Sequence, residues 1–346
     1  PEIDVIVAGC SAAMKESDYS AMDEVAAVIR GHDPTQVARA VAHRFPTLDQ
    51  HEEAIGGALL LSNKRGHRAW LKIQDGCDRR CAFCATKIAR GASRSRALDQ
   101  VVDEARTLAQ KHHEIVLTGV HIGHYGKDLD PKLTLGTLLE HLVDAVPTAR
   151  FRLGSIEATE IDEKLGDLVT QHSGVTNHLH IPMQAGSDNV LRLMQRWHTR
   201  AQYHDRVAEL AEHAEYLGLG ADIIVGFPGE TDEDFEQTRR LVEALPFTYL
   251  HVFPYSKRDG TKAATMPDQV PGDIAAARSK ILREIAIEKG SAYCRTRAGE
   301  TADIVVEDGD TGLTGDYLRV SLIEPLDPGS RVQRALALRD AELIAL

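Results

Sequence analysis

The chain has 346 residues, of which 43% are hydrophobic and 27% are charged, and its formal net charge at pH 7 is -12. These proportions are typical of a soluble globular protein, and no apolar run approaches the roughly 20 residues of a membrane-spanning helix. The acidic balance argues against a nucleic-acid-binding protein, except where basic residues gather locally.

The first predicted elements are a strand at residues 3–8 and helices near residues 21–30 and 34–45. The second helix follows an Asp-Pro pair, as a capped helix with proline in its first turn does. Residues 46–68 lack periodicity and are predicted to form a linker.

A predicted strand begins within the first few residues of the chain. Pro1 is followed at once by the first strand, so we expect the chain to start inside a domain. We assign residues 1–60 to a partial N-terminal α/β domain. Cys10 follows the strand, and its ordinary interpretation is a small core residue.

Strands alternate with amphipathic helices from residue 69 to about residue 298. The predicted strands lie at 69–75, 114–120, 150–156, 178–183, 220–226 and 249–254. The predicted helices lie near 98–111, 134–145, 161–172, 189–216, 232–244 and 273–298, with a break in the fourth near His198. Six strand–helix units predict a parallel sheet with right-handed crossovers. Because a complete barrel has eight units, we expect an open, partial (βα)6 barrel at residues 67–290, with its chemistry at the carboxyl ends of the strands.

The loop after the first barrel strand carries Cys77, Cys81 and Cys84 in the spacing C-x3-C-x2-C. Three thiolates can hold three corners of a cubane iron–sulfur cluster, and no fourth cysteine follows along the loop. A closed electron-transfer cluster or a structural zinc site normally has four protein ligands, so this set leaves one iron open for a small molecule. The alternatives are a partial zinc site and buried cysteines that lie close together. Three of five cysteines within eight positions favour the cluster and a reducing compartment, the cytoplasm.

Basic residues accompany this loop and are the local exception to the acidic balance. They are Arg79, Arg80, Lys87, Arg90, Arg94 and Arg96. Such a group can contact phosphates, and the alternative interpretation is a solvated loop.

Glycines and polar residues follow the other barrel strands. These segments are Leu117–His121, Ser155–Glu157, Ile181–Ser187, Asp222–Thr231 and Phe253–Ser256. A glycine after a strand is commonly just a turn. Five such segments at one rim predict a ligand site.

Short β-type runs separated by Asp-Gly and Pro-Gly turns follow the last helix. They lie at residues 302–306, 317–322 and 331–338. We predict a small antiparallel barrel or sandwich and assign residues 291–346 to a separate C-terminal domain.

The cysteine loop, with Phe83 just before its third cysteine, resembles the radical S-adenosylmethionine (SAM) superfamily. This resemblance implies a 4Fe–4S cluster whose open iron is chelated by the amino and carboxylate groups of SAM. It also implies reductive cleavage of SAM to methionine and a 5'-deoxyadenosyl radical. The protein then supplies binding, orientation and exclusion of water.

Within this superfamily the chain resembles the methylthiotransferases, through His178–Asp188, Asp222–Thr231 and Tyr255–Thr261. The resemblance implies an N-terminal domain with a second, auxiliary 4Fe–4S cluster, a radical SAM core and a C-terminal TRAM-like domain that contacts RNA. Cys10 is similar to the last of the three auxiliary-cluster cysteines, and the other two would lie upstream of Pro1. The implied fold is therefore a partial (βα)6 radical SAM barrel between a partial N-terminal α/β domain and a small all-β domain.

The segments Leu117–Leu129, Ser155–Glu157 and His251–Ser256 are most similar to the bacterial enzymes that act on N6-threonylcarbamoyladenosine in tRNA. This implies a transferase that inserts a methylthio group at C2 of the adenine, next to the anticodon. One SAM would donate a methyl group to sulfur at the auxiliary cluster, and a second would give the radical that abstracts the C2 hydrogen. The implied partners are tRNA and an electron donor such as flavodoxin or ferredoxin, without a membrane.

Several residues depart from the family's pattern and bear on the substrate. They are Thr86 and Lys87, Ala221, Trp197 and His198. The alternatives are methylthiolation of isopentenyladenosine in tRNA or of a ribosomal-protein aspartate, and a radical SAM enzyme without sulfur insertion. A further alternative is an RNA-binding protein with a structural cluster or zinc ion.

The resemblance assigns roles to individual residues. Cys77, Cys81 and Cys84 would be the ligands of the SAM-binding cluster. The residues implied for SAM are Phe83, Thr118, Gly119, Glu157, Gln184, Ser187 and Arg196. For Phe83 the alternative is ordinary core packing, and for Arg196 it is a surface position on a helix. Cys294 is expected to be structural, and phosphate contacts in the C-terminal domain are expected from Arg319, Arg331 and Arg334.

Overall fold

The computed structural model describes residues 5–31, 34–44 and 67–346. The strands before the last helix are β1 (Val5–Gly9), β2 (Val25–Arg30), β3 (Ala69–Lys72), β4 (Gln74–Asp75), β5 (Arg94–Ser95), β6 (Glu114–Thr118), β7 (Arg150–Leu153), β8 (His178–His180), β9 (Gly218–Val225) and β10 (Tyr249–Pro254). The helices are α1 (Cys10–Met14), α2 (Glu16–Ser20), α3 (Pro34–Arg44), α4 (Thr86–Arg90), α5 (Leu98–Ala109), α6 (Leu135–Ala145), α7 (Glu163–Gln171), α8 (Asp188–Leu193), α9 (Arg200–His213), α10 (Asp232–Ala244) and α11 (Gly272–Arg297). None of these helices is long and apolar enough to cross a bilayer.

Six parallel strands form the central sheet in two halves, β3-β6-β7 and β8-β9-β10. The halves join where the Phe151 amide donates to the Gly174 carbonyl over 2.8 Å and the Thr176 amide donates to the Phe151 carbonyl over 2.9 Å. Among the described strands β10 and β3 are not paired, so the barrel is open on that side. The predicted partial (βα)6 barrel is confirmed.

Alternate residues of each barrel strand face opposite sides. Leu71, Leu117 and Val252 are buried in the main apolar core, which includes residues of the surrounding helices. The intervening residues face the inside of the barrel, which we call the lumen. These are Lys72, Glu114, Arg152, His178, His180, Asp222 and His251, among others. A polar lumen inside an apolar shell is suited to a ligand site.

The N-terminal region differs from its prediction. The prediction of a helix at residues 21–30 is wrong. Val25–Arg30 is strand β2, which pairs in parallel with β1. The reason is the run of β-branched residues Val25, Val28 and Ile29, which favours a strand once a partner is available. The predicted linker at residues 46–68 falls mainly outside the described residues.

The C-terminal region forms a closed barrel, the first of the two predicted alternatives, but one of its strand pairs is parallel rather than antiparallel. Its strands are β11 (Thr301–Val306), β12 (Thr311–Thr314), β13 (Arg319–Leu322), β14 (Arg331–Arg339) and β15 (Glu342–Ala345), in the order β11-β12-β13-β15-β14. Tyr317, predicted as the start of a strand, lies in the turn before β13 with φ 71°. The small barrel has an apolar core of its own, including Ile304, Val320 and Leu336.

An ion cluster fixes this small barrel to the lower, amino-terminal end of the large one. Glu114, which is fully buried, accepts from Arg150 Nε over 2.8 Å and from Arg152 Nε over 2.8 Å. The same arginines donate to carbonyls of the small barrel, at Leu313 over 3.0 Å and at Thr314 over 2.9 Å. The lower end of the lumen is therefore covered by the C-terminal barrel, and the upper end carries the cysteine loop.

We predict that Glu114→Gln lowers the free energy of unfolding by about 3–5 kcal/mol, because the buried Arg152 loses its carboxylate partner and the buried Arg150 keeps only Asp303. Urea denaturation of the variant and the parent protein measures this difference. The matched control is Glu140→Gln, since Glu140 pairs with Lys164 on the surface, where an ion pair contributes roughly 0–1 kcal/mol. Equal effects of the two substitutions would contradict the role of Glu114.

The pH dependence of this contribution follows from the pKa of Glu114. Burial alone raises that pKa, but Arg152 and Arg150 outweigh burial and lower it from 4.5 to about 2. A carboxyl with a lowered pKa stabilises the fold above its unfolded pKa and loses that contribution as pH falls through the folded value. The stability difference between the parent protein and Glu114→Gln is therefore expected to shrink between pH 4.5 and about 2.

Candidate metal centre

The cysteine loop lies between the two short strands β4 and β5, which pair antiparallel and hold its ends together. The Cys77 amide donates to the Gly91 carbonyl over 3.0 Å. Gly76 has φ 73°, and a Cβ atom there would lie 1.9 Å from the Ala92 carbonyl oxygen. Only glycine fits this close crossing of the two ends of the loop.

Gln74 connects this loop to the segment that follows β6. Its side-chain amide donates to the Gly76 carbonyl over 2.7 Å, and its Oε1 accepts from the His121 amide over 2.7 Å. A Cβ atom on Gly119 would lie 2.9 Å from the Gln74 carbonyl oxygen. The predicted SAM-binding residues Thr118 and Gly119 are thus placed beside the start of the cysteine loop.

The three cysteines of the loop are free thiols, and each sulfur has a polar neighbour. Cys77 Sγ lies 3.5 Å from His121 Nδ1, and Cys81 Sγ accepts from Arg196 over 3.5 Å. Cys84 Sγ lies 3.1 Å from Thr86 Oγ1 and is exposed. Three sulfur donors from one loop, each beside a hydrogen-bond donor, fit an iron–sulfur cluster with three protein ligands.

The thiols of Cys77 and Cys81 have opposite pKa shifts. Burial raises the pKa of Cys77, but the hydrogen bond from His121 and a backbone hydrogen bond outweigh burial and leave the pKa below its usual value. Burial also raises the pKa of Cys81, and there the opposing effect of Arg196 is smaller, so the pKa stays above its usual value. Cys77 is therefore the more readily ionised of the two.

His121 is held in place by Glu160 on its other side. His121 Nε2 lies 2.8 Å from Glu160 Oε2, and the second oxygen accepts from Arg79 over 3.0 Å. Burial opposes the imidazolium, but the contacts with Cys77 and Glu160 raise the pKa of His121 to about 9. A Cβ atom on Gly123 would lie 2.1 Å from Glu160 Oε2, so this glycine lets the carboxylate reach the histidine. The contact between His121 and Cys77 was not predicted from the sequence, where its only signal is the position of His121 just after a strand.

Arg196 and Glu157 form a buried ion pair beside Cys81. The Arg196 side chain is 3% exposed and donates to Glu157, so the alternative of a surface arginine is wrong. The guanidinium groups of Arg79 and Arg196 lie 3.8 and 4.1 Å from the ring centroid of Trp197. Trp197 therefore links the environments of Cys77 and Cys81, a role that its sequence position did not indicate.

The other residues predicted to bind SAM lie in three different environments. Phe83 is half-buried and packs edge-on against Phe227, with ring centroids 6.4 Å apart. Gln184 has φ 64° and lies beside β9, where it forms an isolated parallel bridge with Ile223. Ser187 is buried and its hydroxyl donates over 2.5 Å to Asp234, in the first turn of α10, so this hydroxyl already has a partner within the protein.

Cys10 is exposed and begins helix α1, which packs against α4, the helix that follows Cys84. Lys15, just beyond α1, lies 3.8 Å from Asp259, which follows β10. The structure therefore places Cys10 in the same region as the cysteine loop. Cys294 lies on α11 and is half-buried.

The chain is similar in sequence to proteins of known description. Residues 71–242 match the family model of the radical SAM superfamily. The chain is 34% identical over 333 residues to a threonylcarbamoyladenosine tRNA methylthiotransferase of Rickettsia prowazekii, covering 93% of this chain and 77% of the relative. It is 30% identical to a protein of the same description from Aquifex aeolicus, covering 92% of this chain and 80% of the relative.

Two further similarities are more distant or less complete. A tRNA-2-methylthio-N(6)-dimethylallyladenosine synthase of Geobacillus kaustophilus is 35% identical over 253 residues, which are 72% of this chain and 47% of the relative. Among solved structures, a cobalamin-dependent SAM radical enzyme superposes with a TM-score of 0.52 at 12% identity, covering 82% of this chain and 43% of that chain. The structural match shows the fold alone.

We predict that in the metal-free protein Cys77 reacts faster with iodoacetamide at neutral pH than Cys81 does, because its pKa is lower. His121→Phe is expected to slow the alkylation of Cys77 by about three- to tenfold, since the thiolate loses its hydrogen bond. Mass spectrometry of peptides that contain each cysteine measures the two rates. The control is His141→Phe, on the exposed side of α6. If Cys77 reacts at the same rate in both variants, His121 does not activate it.

Proposed function

The chain belongs to the radical SAM methylthiotransferase family, and we propose that it inserts a methylthio group at C2 of N6-threonylcarbamoyladenosine, next to the anticodon of tRNA. Membership of the family makes it a transferase that uses a 4Fe–4S cluster and SAM. The proposal that this nucleoside is the substrate rests on the similarity to two threonylcarbamoyladenosine enzymes across more than 90% of the chain.

We assign Cys77, Cys81 and Cys84 as the ligands of the SAM-binding cluster. When bound, the cluster supplies the electron that cleaves SAM and generates the 5'-deoxyadenosyl radical. The protein's contribution is to stabilise negative charge on the sulfurs, through the hydrogen bonds from His121 to Cys77 and from Arg196 to Cys81. Hydrogen bonds to the sulfurs are one of the factors that set the reduction potential of such clusters.

SAM would lie between the cysteine loop and the upper ends of the strands. Thr118 and Gly119 are assigned to its amino group, and Glu157, Gln184 and Arg196 to its other polar atoms. Arg196 is already paired with Glu157, so the two act together as one ion pair rather than as independent contacts. Phe83 closes the apolar side of this space, and Ser187 fixes the adjoining segment through Asp234.

The lumen beneath the cysteine loop is the proposed site for the target adenine. Because the small barrel covers its lower end, the nucleoside would enter from the upper end or the open side, with its base unstacked and extruded into the lumen. Arg80 and Arg94 are exposed near the loop and are suited to phosphates. In the small barrel Arg319 is exposed and Arg334 is half-buried, whereas Arg331 is occupied by Asp303 at 2.8 Å.

A second 4Fe–4S cluster is part of this proposal, with Cys10 as one ligand. Its support is the packing of α1 against α4, which brings Cys10 to the region of the first cluster. Such a cluster would hold the sulfur that is methylated and transferred. The proposed electron donor is a flavodoxin or ferredoxin, and the proposed compartment is the cytoplasm, where thiols stay reduced.

The second candidate substrate is isopentenyladenosine in tRNA. It is favoured by the 35% identity to the dimethylallyladenosine synthase, although the match covers only 47% of that relative. Methylthiolation of a ribosomal-protein aspartate, and radical chemistry without sulfur insertion, have no comparable observation in their favour.

We predict that deletion of the gene abolishes 2-methylthio-N6-threonylcarbamoyladenosine in the organism's tRNA and leaves the isopentenyl derivative unchanged. Mass spectrometry of nucleosides from digested tRNA measures both. Re-expression of the parent gene is expected to restore the modification, and Cys84→Ala is not, because one cluster ligand is missing. Cys294→Ala, a cysteine outside the loop, serves as the control and restores it.

Three outcomes would contradict this proposal. Loss of the isopentenyl derivative alone would establish the second candidate. Loss of a methylthio group from a protein instead of from RNA would show that the substrate is a polypeptide. Restoration of the modification by Cys84→Ala would show that the reaction does not require the cysteine loop.

A further inference from the structure

Three metal-ligating side chains lie together on the wall of the lumen, apart from the cysteine loop. They are His180 on β8, Asp222 on β9 and His251 on β10. His251 stands opposite Asp222 in the strand register, and His180 stands opposite Gly220, one lumen-facing position below Asp222. The three adjacent strands therefore present their polar side chains to one point, and the function proposed above does not use them.

The distances between the ligand atoms are those of a metal site. His180 Nε2 lies 3.1 Å from Asp222 Oδ1, and His251 Nδ1 lies 3.2 Å from the same oxygen. All three ligand atoms lie within 4.8 Å of one another. Nitrogen and oxygen ligands about 2.0–2.2 Å from a zinc ion stand about 2.8–3.1 Å apart in octahedral geometry and about 3.3–3.6 Å apart in tetrahedral geometry. The two contacts, at 3.1 and 3.2 Å, lie within these limits.

The donor set has the chemistry of a metal centre with open positions. Two imidazoles and one carboxylate are the protein ligands of many catalytic zinc sites and of non-haem iron(II) centres. The His251 side chain is 55% exposed, so an ion can enter from the lumen. His180 is nearly buried, which fixes the other side of the site.

A hydrogen-bonded residue behind His180 orients its ring. His180 Nδ1 lies 3.1 Å from the Tyr249 hydroxyl, which lies 2.8 Å from His178 Nε2. The tyrosine is accommodated because Gly220 has no side chain: a Cβ atom there would lie 2.0 Å from the Tyr249 ring. Metal-binding histidines almost always have such a partner on the second ring nitrogen, and it directs the first nitrogen to the metal. His180 Nε2 accordingly points at Asp222.

We propose that His180, Asp222 and His251 bind one divalent transition-metal ion, of the class of Zn²⁺ or Fe²⁺, on the wall of the lumen. The remaining coordination positions face the lumen, where they would accept an oxygen or nitrogen atom of a bound molecule. Without the ion, the same three side chains can be joined by hydrogen bonds through protons on the two histidines. Metal binding replaces these hydrogen bonds, because each coordinating ring nitrogen must be without a proton, and it keeps the arrangement of the side chains.

The test is a zinc titration of the protein whose cysteines already hold their cluster, followed by gel filtration and elemental analysis. One zinc per chain is expected to remain in addition to the cluster iron. His251→Gln and Asp222→Asn are expected to abolish this zinc, and Tyr249→Phe to weaken its binding by about 10- to 100-fold. Because His251 is exposed, its substitution leaves the fold intact, which circular dichroism verifies.

Two controls locate the metal. His204→Gln removes a surface histidine that also contacts an aspartate, at 3.0 Å from Asp205, and is expected to retain the zinc. His124→Asn removes one member of the other group of potential ligands, His121, His124 and Glu160, and is also expected to retain it. X-ray absorption at the zinc edge is expected to show nitrogen and oxygen ligands without sulfur.

Zinc retention in both His251→Gln and Asp222→Asn, loss of zinc in His124→Asn, or sulfur in the zinc coordination shell would each overturn the proposal. These outcomes are independent of the tRNA experiment, since they require no substrate and no SAM. A failure of the proposed tRNA specificity therefore leaves the metal result unaffected.

Discussion

The buried carboxylate of Glu114 is the constraint on which the arrangement of the molecule depends. It is fully buried, and it holds Arg150 and Arg152 so that their remaining donors meet carbonyls of the small barrel. Desolvated arginines of this kind are tolerated only because every charge has a partner. This network covers the lower end of the lumen, and the reactive groups must therefore lie at the other end.

At the upper end, backbone contacts fix the cysteine loop and polar side chains set its electrostatics. The β4–β5 pair and Gln74 place the loop, while His121 and Arg196 donate to two of its sulfurs. Each donor is itself held by a carboxylate, Glu160 or Glu157. The thiols thus stand in a preorganised environment, which is what an iron–sulfur cluster with an open iron requires of the protein.

The sequence predicted the elements of the barrel well and the contacts between them poorly. The strand–helix alternation and the three-cysteine loop were recognisable because both are local patterns. Strand β2 was predicted as a helix because its parallel partner β1, about 20 residues earlier, is a tertiary feature. The contact of His121 with Cys77 joins residues 44 positions apart, and the burial of Arg196 depends on Glu157, 39 positions away. No short-range pattern carries that information.

The central claim is that three cysteines hold a cluster able to cleave SAM. Its most direct test is anaerobic reconstitution with iron and sulfide, an iron count, and an assay for 5'-deoxyadenosine after addition of SAM and dithionite. The predicted result is about four irons bound through the cysteine loop, with SAM cleaved, and loss of both in Cys77→Ala, Cys81→Ala and Cys84→Ala. Zinc in place of iron at this loop, or a cluster that leaves SAM intact, would contradict the account.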